Sequence, residues 1–269
     1  MNELKQKLNN LFAILRSLDS VAIGFSGGVD SSFLAAAAYR ALGAKAIAVT
    51  ACSETLPRSE AEEAAAVAKL IGIEHKLIAS NEMEDPAFIV NDRLRCYYCK
   101  KVRFAALADW AAAAGYLWVL EGSNSDDLRD YRPGMKAVQE LDNVRSPLLE
   151  AGLTKQDIRD LSRQWSLPTH NKLSSACLAT RLAYDLPITA ARLAQVEAAE
   201  ELLSKLFTGQ IRVRHHGDVA RIEIQPEQMT VMTNPATAAM VASELKKLGF
   251  TFVTIDLSGY QMGSMNQLL

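Results

Sequence analysis

The sequence predicts a doubly wound parallel α/β sheet followed by a small α+β unit, and three observations predict it. Short, nearly continuous apolar runs alternate with alanine-rich helical segments through the first half, as in a sheet covered on both faces. The run "SGGVDSS" (26–32) stands between the first such strand and its helix. From about residue 187 the rhythm changes to helix, hairpin, helix and strand.

Leu4, Leu8, Leu11, Phe12 and Leu15 recur at helical spacing and predict an opening helix. "VAIGF" (21–25) reads as a strand and "FLAAAAYRAL" (33–42) as its helix. "AKAIAVTA" (44–51), "SEAEEAAAVAKLIG" (59–72) and "HKLIAS" (75–80) repeat the pattern as strand, helix and strand. After "RLRCYYCKK" (93–101), "VRFAALADWAAAAG" (102–115) reads as a helix and "LWVLEGS" (117–123) as a strand. Thr154 with Asp157 three residues on predicts a capping box, and Pro168 is expected to end that helix. In the second unit a helix (190–207) precedes a hairpin over 211–225 that turns near Gly217–Asp218. A further helix (234–248) leads to a strand (250–257). The expected domains are 1–186 and 187–269.

The formal net charge of −2 argues against an electrostatically driven nucleic-acid binder. No apolar run approaches a membrane span, and the N-terminus lacks the features of a secretory signal. Four cysteines in 269 residues do not make a disulfide scaffold, so the expected compartment is reducing and cytoplasmic.

The "SGGVDSS" run falls where open α/β sheets bind ligands, at the C-terminal end of a strand and the start of a helix. Gly27 and Gly28 let the backbone approach an anion, Ser26, Ser31 and Ser32 add hydroxyl donors, and the helix adds its N-terminal partial charge. Asp30 beside a phosphate calls for Mg²⁺ or a cap. No lysine follows the glycines as in the kinase-type loop. The run resembles the PP-loop of the ATP pyrophosphatases, the superfamily of NAD synthetase, GMP synthetase and the tRNA thiolases. That resemblance implies ATP bound by Ser26, Gly27, Gly28, Asp30, Ser31 and Ser32, an adenylated product, and adenine near Val49–Ala51.

The CxxC of Cys96 and Cys99 admits several readings: a redox pair, structural zinc completed by Cys177 and His170, packing cysteines, or part of an iron–sulfur site. Together with "DYRPGMKA" (130–137), "NKLSSACLATR" (171–181), "IRVRHHGDVARIE" (211–223) and "DLSGYQMGSMN" (256–266), these features resemble the LarE family of sulfur transferases, which act in nickel-pincer cofactor synthesis. The resemblance runs along most of the chain. It implies ATP-dependent conversion of a carboxylate on a pyridinium dicarboxylate mononucleotide to a thiocarboxylate.

One branch of that family sacrifices a cysteine five residues before the arginine matching Arg181, and this chain has Ala176 there. Cys96, Cys99 and Cys177 resemble the other branch, in which three thiolates hold a [4Fe–4S] cluster whose open iron carries the sulfide to be transferred. The same resemblance assigns the substrate phosphate to Arg212, Arg214 and Glu200. Lys100 and Arg181 carry the charge to neutralise the adenylate or pyrophosphate, and the resemblance implies a sulfide donor and a homo-oligomer. Asp130, Tyr131 and Arg132 are expected in a loop near the site or a subunit contact. Cys52 reads as a plain residue after the second strand, and His215 and His216, on opposite sides of a strand, as surface residues. The competing functions are a tRNA thiolase and a nucleotide-binding protein with structural zinc.

Overall fold

The computed structural model describes residues 2–129, 133–173, 176–261, 264 and 265. Two compact units emerge, one of residues 1–82 with 96–175 and one of 83–95 with 176–269. The change of unit therefore falls ahead of position 186, and a short earlier segment belongs with the C-terminal part.

In the first unit, α1 (Asn2–Arg16) leads to β1 (Val21–Gly24), α2 (Val29–Leu42), β2 (Ala46–Cys52), α3 (Arg58–Ile71) and β3 (Glu74–Ala79). The chain visits the second unit with α4 (Pro86–Ile89) and returns along α5 (Arg95–Ala113). It continues through β4 (Trp118–Leu120), α6 (Pro133–Gln139), β5 (Val144–Arg145), α7 (Pro147–Glu150) and α8 (Lys155–Gln164). The five strands pair in parallel in the order β3-β2-β1-β4-β5. The chain runs outward from β1 through β2 to β3 and then crosses to β4 on the other side of β1, so the switch point lies between β1 and β4.

β1 is all apolar to Gly24 because it is central, and its Val21, Ala22 and Ile23 are buried. On one side Ile23, Phe33, Leu34, Ala48 and Leu120 form the core with α1 and α8, and on the other Ala22, Ile47, Val49 and Val119 pack against Leu107 and Ala111 of α5. Thr154 accepts from Asp157 N while the Asp157 side chain accepts from Thr154 N, the expected capping box. That helix ends at Gln164, before Pro168, because Ser166 takes φ 57°; Pro168 opens a 3-10 turn.

In the second unit, α9 (Ala190–Ser204) packs on the antiparallel hairpin β6 (Arg212–His216) and β7 (Val219–Glu223), which turns at Gly217–Asp218 as expected. α10 (Met229–Met232) and α11 (Pro235–Lys247) lead to β8 (Phe252–Ile255), parallel to β7. The segment 83–95 is fastened here by its own polar groups. Buried Asn91 donates to Ala183 O and Leu186 O, and Arg95 donates to Ala179 O. His215 is not a surface residue: it is 3% exposed, bonded through Nε2 to Gln195 and packed on Phe250. Its strand is buried on both faces up to His215, so alternation exposes only His216.

Candidate active site

The C-terminal ends of β1 and β4 open on a cavity of ≈ 320 Å³ inside the first unit. That is within the roughly 300–1,000 Å³ range of small-molecule sites. Ser26, Gly28, Asp30 and Ser31 form one part of its wall, and Val49, Thr50 and Ala51 at the end of β2 another. Lys100, Arg103, Phe104 and Leu107 of α5 complete it with Glu121, Gly122, Ser123 and Asp127 after β4.

The loop is held open by its own hydroxyls. Ser31 Oγ accepts from Ser26 N at 3.3 Å and lies 3.1 Å from Ser26 Oγ, which accepts from Gly28 N at 3.3 Å. Gly27 has φ +66°, and a Cβ there would lie 2.8 Å from the Ala64 Cα, so only glycine fits between the loop and α3. Ser32, one residue beyond Ser31, is turned by the helix into the core: its Oγ is buried without a partner and it does not line the cavity. Asp30 pairs with Lys155 Nζ and accepts from Asn124 Nδ2 at 3.3 Å. Asp30 lines the cavity, and a carboxylate there suits Mg²⁺, which takes one or two protein carboxylates and completes its shell with phosphate oxygens and water.

Two buried carboxylates support the wall, Glu121 within it and Glu82 outside the lining. Glu121 accepts from Lys100 Nζ at 3.1 Å, Ser123 Oγ at 2.8 Å and Ser146 Oγ. Burial works to raise its pKa, but Lys100 and the two hydroxyls outweigh burial and hold the carboxyl below its ordinary value. Glu82 is fully buried, receives the hydroxyls of Ser53, Thr55 and Ser80, and lies 3.5 Å from Arg103 Nε. Burial again pushes upward, and Arg103, Ser53 and Ser80 pull its pKa below the usual carboxylate range. Arg103 also donates to Ala51 O. Sequence reasoning missed Glu82, Arg103 and Glu121. The one available signal was Glu121 at the end of an apolar strand run.

The CxxC occupies the first turn of α5 instead of preceding the helix, so Cys96 and Cys99 share a face one turn apart. Cys96 is exposed and Cys99 half-buried, and Lys100 follows directly. Cys177 caps a 3-10 turn in the second unit. Cys96, Cys99, Cys177 and Cys52 are all described residues, and none is in a disulfide. Among the described residues no three His, Cys, Asp or Glu form a group that could hold a metal ion. Thiols of this kind suit an iron–sulfur cluster in donor chemistry, two of them on α5 in the first unit and one in the second. Cys52 ends β2, and burial raises its thiol pKa. Asp130, Tyr131 and Arg132 lie outside the described residues.

The remaining candidates meet within the second unit. Arg181, 2% exposed, forms a two-pronged pair with Glu200 at 3.0 Å on each arm, and Glu200 also accepts from Val213 N. Arg214 donates through Nε and Nη2 to a single oxygen, Oε2, of fully buried Glu223, at 3.0 and 2.8 Å. Arg212 lies over the Tyr260 ring, and burial, with Arg181 and Arg214 nearby, lowers its pKa. Three guanidinium groups so placed suit an anion with several oxygens. Among the described residues, no helix is long and apolar enough to cross a membrane.

The family described as NAD synthase matches residues 1–95. An uncharacterized protein of Synechocystis sp. (strain PCC 6803) is 41% identical over 266 residues, covering 99% of each chain. The pyridinium-3,5-bisthiocarboxylic acid mononucleotide synthase of Lactiplantibacillus plantarum is 36% identical over 272 residues, covering 100% of this chain and 97% of that one. An NH3-dependent NAD+ synthetase of Archaeoglobus fulgidus is 40% identical over 65 residues, 23% of this chain and 26% of that one.

Proposed function

We propose a function from one premise: the chain belongs to the LarE family, that of the pyridinium-3,5-bisthiocarboxylic acid mononucleotide synthase. It is an ATP-dependent sulfur transferase whose substrate is a pyridinium dicarboxylate mononucleotide. A substrate carboxylate oxygen attacks the α-phosphorus of ATP, pyrophosphate leaves, and an acyl-adenylate forms. A sulfur nucleophile then adds to the acyl carbon and AMP departs with the carboxylate oxygen, leaving a thiocarboxylate.

One observation carries this reading: α5 starts with two thiols and, within its next turn, brings Lys100 and Arg103 into the cavity of the "SGGVDSS" loop. Thiols and an ATP site on one short helix fit adenylation followed by sulfur attack. The loop's N–H groups and hydroxyls would hold the phosphates with Mg²⁺ on Asp30. Lys100 would neutralise the leaving pyrophosphate. In the second unit Arg212 and Arg214 would take the mononucleotide phosphate, beside Arg181. Glu200 spends its oxygens on Arg181 and Val213 N, and so orients that site.

Cys96, Cys99 and Cys177 are the proposed ligands of a [4Fe–4S] cluster, which when bound would supply an open iron for exogenous sulfide. With Ala176 in place of a sacrificial cysteine, the sulfur comes from outside the chain. A homo-oligomer and an external sulfide donor belong to the same proposal.

The test is anaerobic purification with iron, sulfide and absorption measured, followed by incubation with ATP, sulfide and the pyridinium dicarboxylate mononucleotide. The expected product gains the mass of an oxygen-to-sulfur exchange as AMP appears. Cys177→Ala is expected to lose the chromophore and the transfer while still binding ATP. A colourless, active Cys177→Ala protein, or zinc in place of iron, defeats the cluster. Co-purified tRNA carrying thiolated nucleosides defeats the small-molecule substrate.

A further inference from the structure

The two cations that α5 brings to the cavity are each paired with a carboxylate shielded from water. Lys100 is held by Glu121, which directly follows β4. Arg103, almost one turn later on the same helix, is held by Glu82, in the segment after β3, and by the strand-end carbonyl of Ala51. Both carboxylates are kept charged by hydroxyls from their own and a neighbouring strand end: Ser123 and Ser146 for Glu121, and Ser80, Ser53 and Thr55 for Glu82.

Stability alone does not account for this construction, because a buried ion pair seldom outperforms apolar residues of the same volume. Both pairs end on a cation lining the cavity. Lysine and arginine are otherwise the side chains with the most rotamer freedom to lose on gripping a ligand. A cation fixed before the ligand arrives binds more strongly and needs no reorganisation as charge develops.

We propose that Glu121 and Glu82 are positioning residues, which fix Lys100 and Arg103 against a nucleoside triphosphate in the cavity. Lys100 serves the phosphates. Arg103, beside the end of β2, serves the nucleoside side of the same ligand. The proposal rests on the ATP-binding reading of this cavity.

Calorimetric binding of α,β-methylene-ATP to the full chain tests it without turnover. Glu121→Gln is expected to weaken binding about ten-fold, a single decade of affinity, while the melting temperature is tracked for folding. In a Lys100→Met background the same change should weaken binding no further, since the residue acts only through that lysine. Glu82→Gln should behave likewise with Arg103→Met, and if that buried variant does not fold, the Glu121 cycle decides alone. Glu121→Asp, one methylene too short to reach Lys100, should not restore affinity. Equal losses with and without Lys100, or wild-type affinity in Glu121→Gln, overturn the positioning role and leave the ATP site standing. A wild-type protein that binds no analogue overturns both.

Discussion

The loop at residues 26–32 and the cluster of Arg181, Arg212 and Arg214 both favour anions, but they are built from different material. The loop uses backbone N–H groups and hydroxyls that bond to one another, so with no ligand it carries no buried cation needing a partner. The cluster uses side-chain charges withdrawn from water, and two of its guanidinium groups are matched by Glu200 and Glu223. Damage to the first should cost ligand affinity locally. Damage to the second should cost folding, because a lone buried charge is left behind.

The largest effect that tests this contrast is expected from Arg214→Met. Among the described residues, Glu223 would keep Arg221, at 3.3 Å, and Ser264. A loss of about 3 kcal/mol in urea unfolding is expected, the low end for breaking a buried pair. Arg214→Met with Glu223→Leu should recover most of it. A single variant as stable as wild type would break the comparison.

The next effect is one of pH. Burial lowers the His215 pKa from 6.5 to about 4, so the folded protein favours neutral imidazole. Between those values the unfolded chain binds more protons, so stability is full above pH 6.5 and is lost as pH falls toward 4. The expected loss is about 2 kcal/mol at pH 5, and His215→Gln should flatten that slope in paired unfolding curves.

In the loop, Gly27→Ala should cost only about 1–2 kcal/mol of stability from its positive φ and the approach to Ala64, yet lower α,β-methylene-ATP affinity at least about ten-fold. A stability loss matching that of Arg214→Met would erase the difference between the two sites. The smallest effect is expected at Thr154→Ala, which removes one side of a capping box outside the cavity lining, for about 1 kcal/mol. Nucleotide affinity should not change.

The same difference in material decides how much could be read from the sequence. The strands, the hairpin at Gly217–Asp218 and the "SGGVDSS" loop are local: periodicity and turn chemistry specify them within a few residues. The two-residue strand β5 carries no periodicity and was invisible. Glu82 and Glu121 look like ordinary acidic residues, because their burial depends on hydroxyls from strand ends distant in sequence and on cations from α5. His215 was misplaced for a related reason. Alternation tells two faces of a strand apart, but not whether both are covered. The CxxC was legible as a pair; its position on the first turn of α5, next to the cavity cations, was not.

The segment 83–95 gives the chain three passages between its units, at 82/83, 95/96 and 175/176. Neither unit is a continuous stretch that could be cut out whole. A fragment ending near residue 175 would carry Asn91 and Arg95 without Ala179, Ala183 and Leu186, whose carbonyls those side chains meet. These contacts join residues more than eighty positions apart, so the second unit closes its structure only after much of the chain exists. Long loops of this kind slow folding. Maturation of the two units is thereby tied together: the N-terminal sheet can assemble early, and the segment 83–95 must wait for residues 179–186.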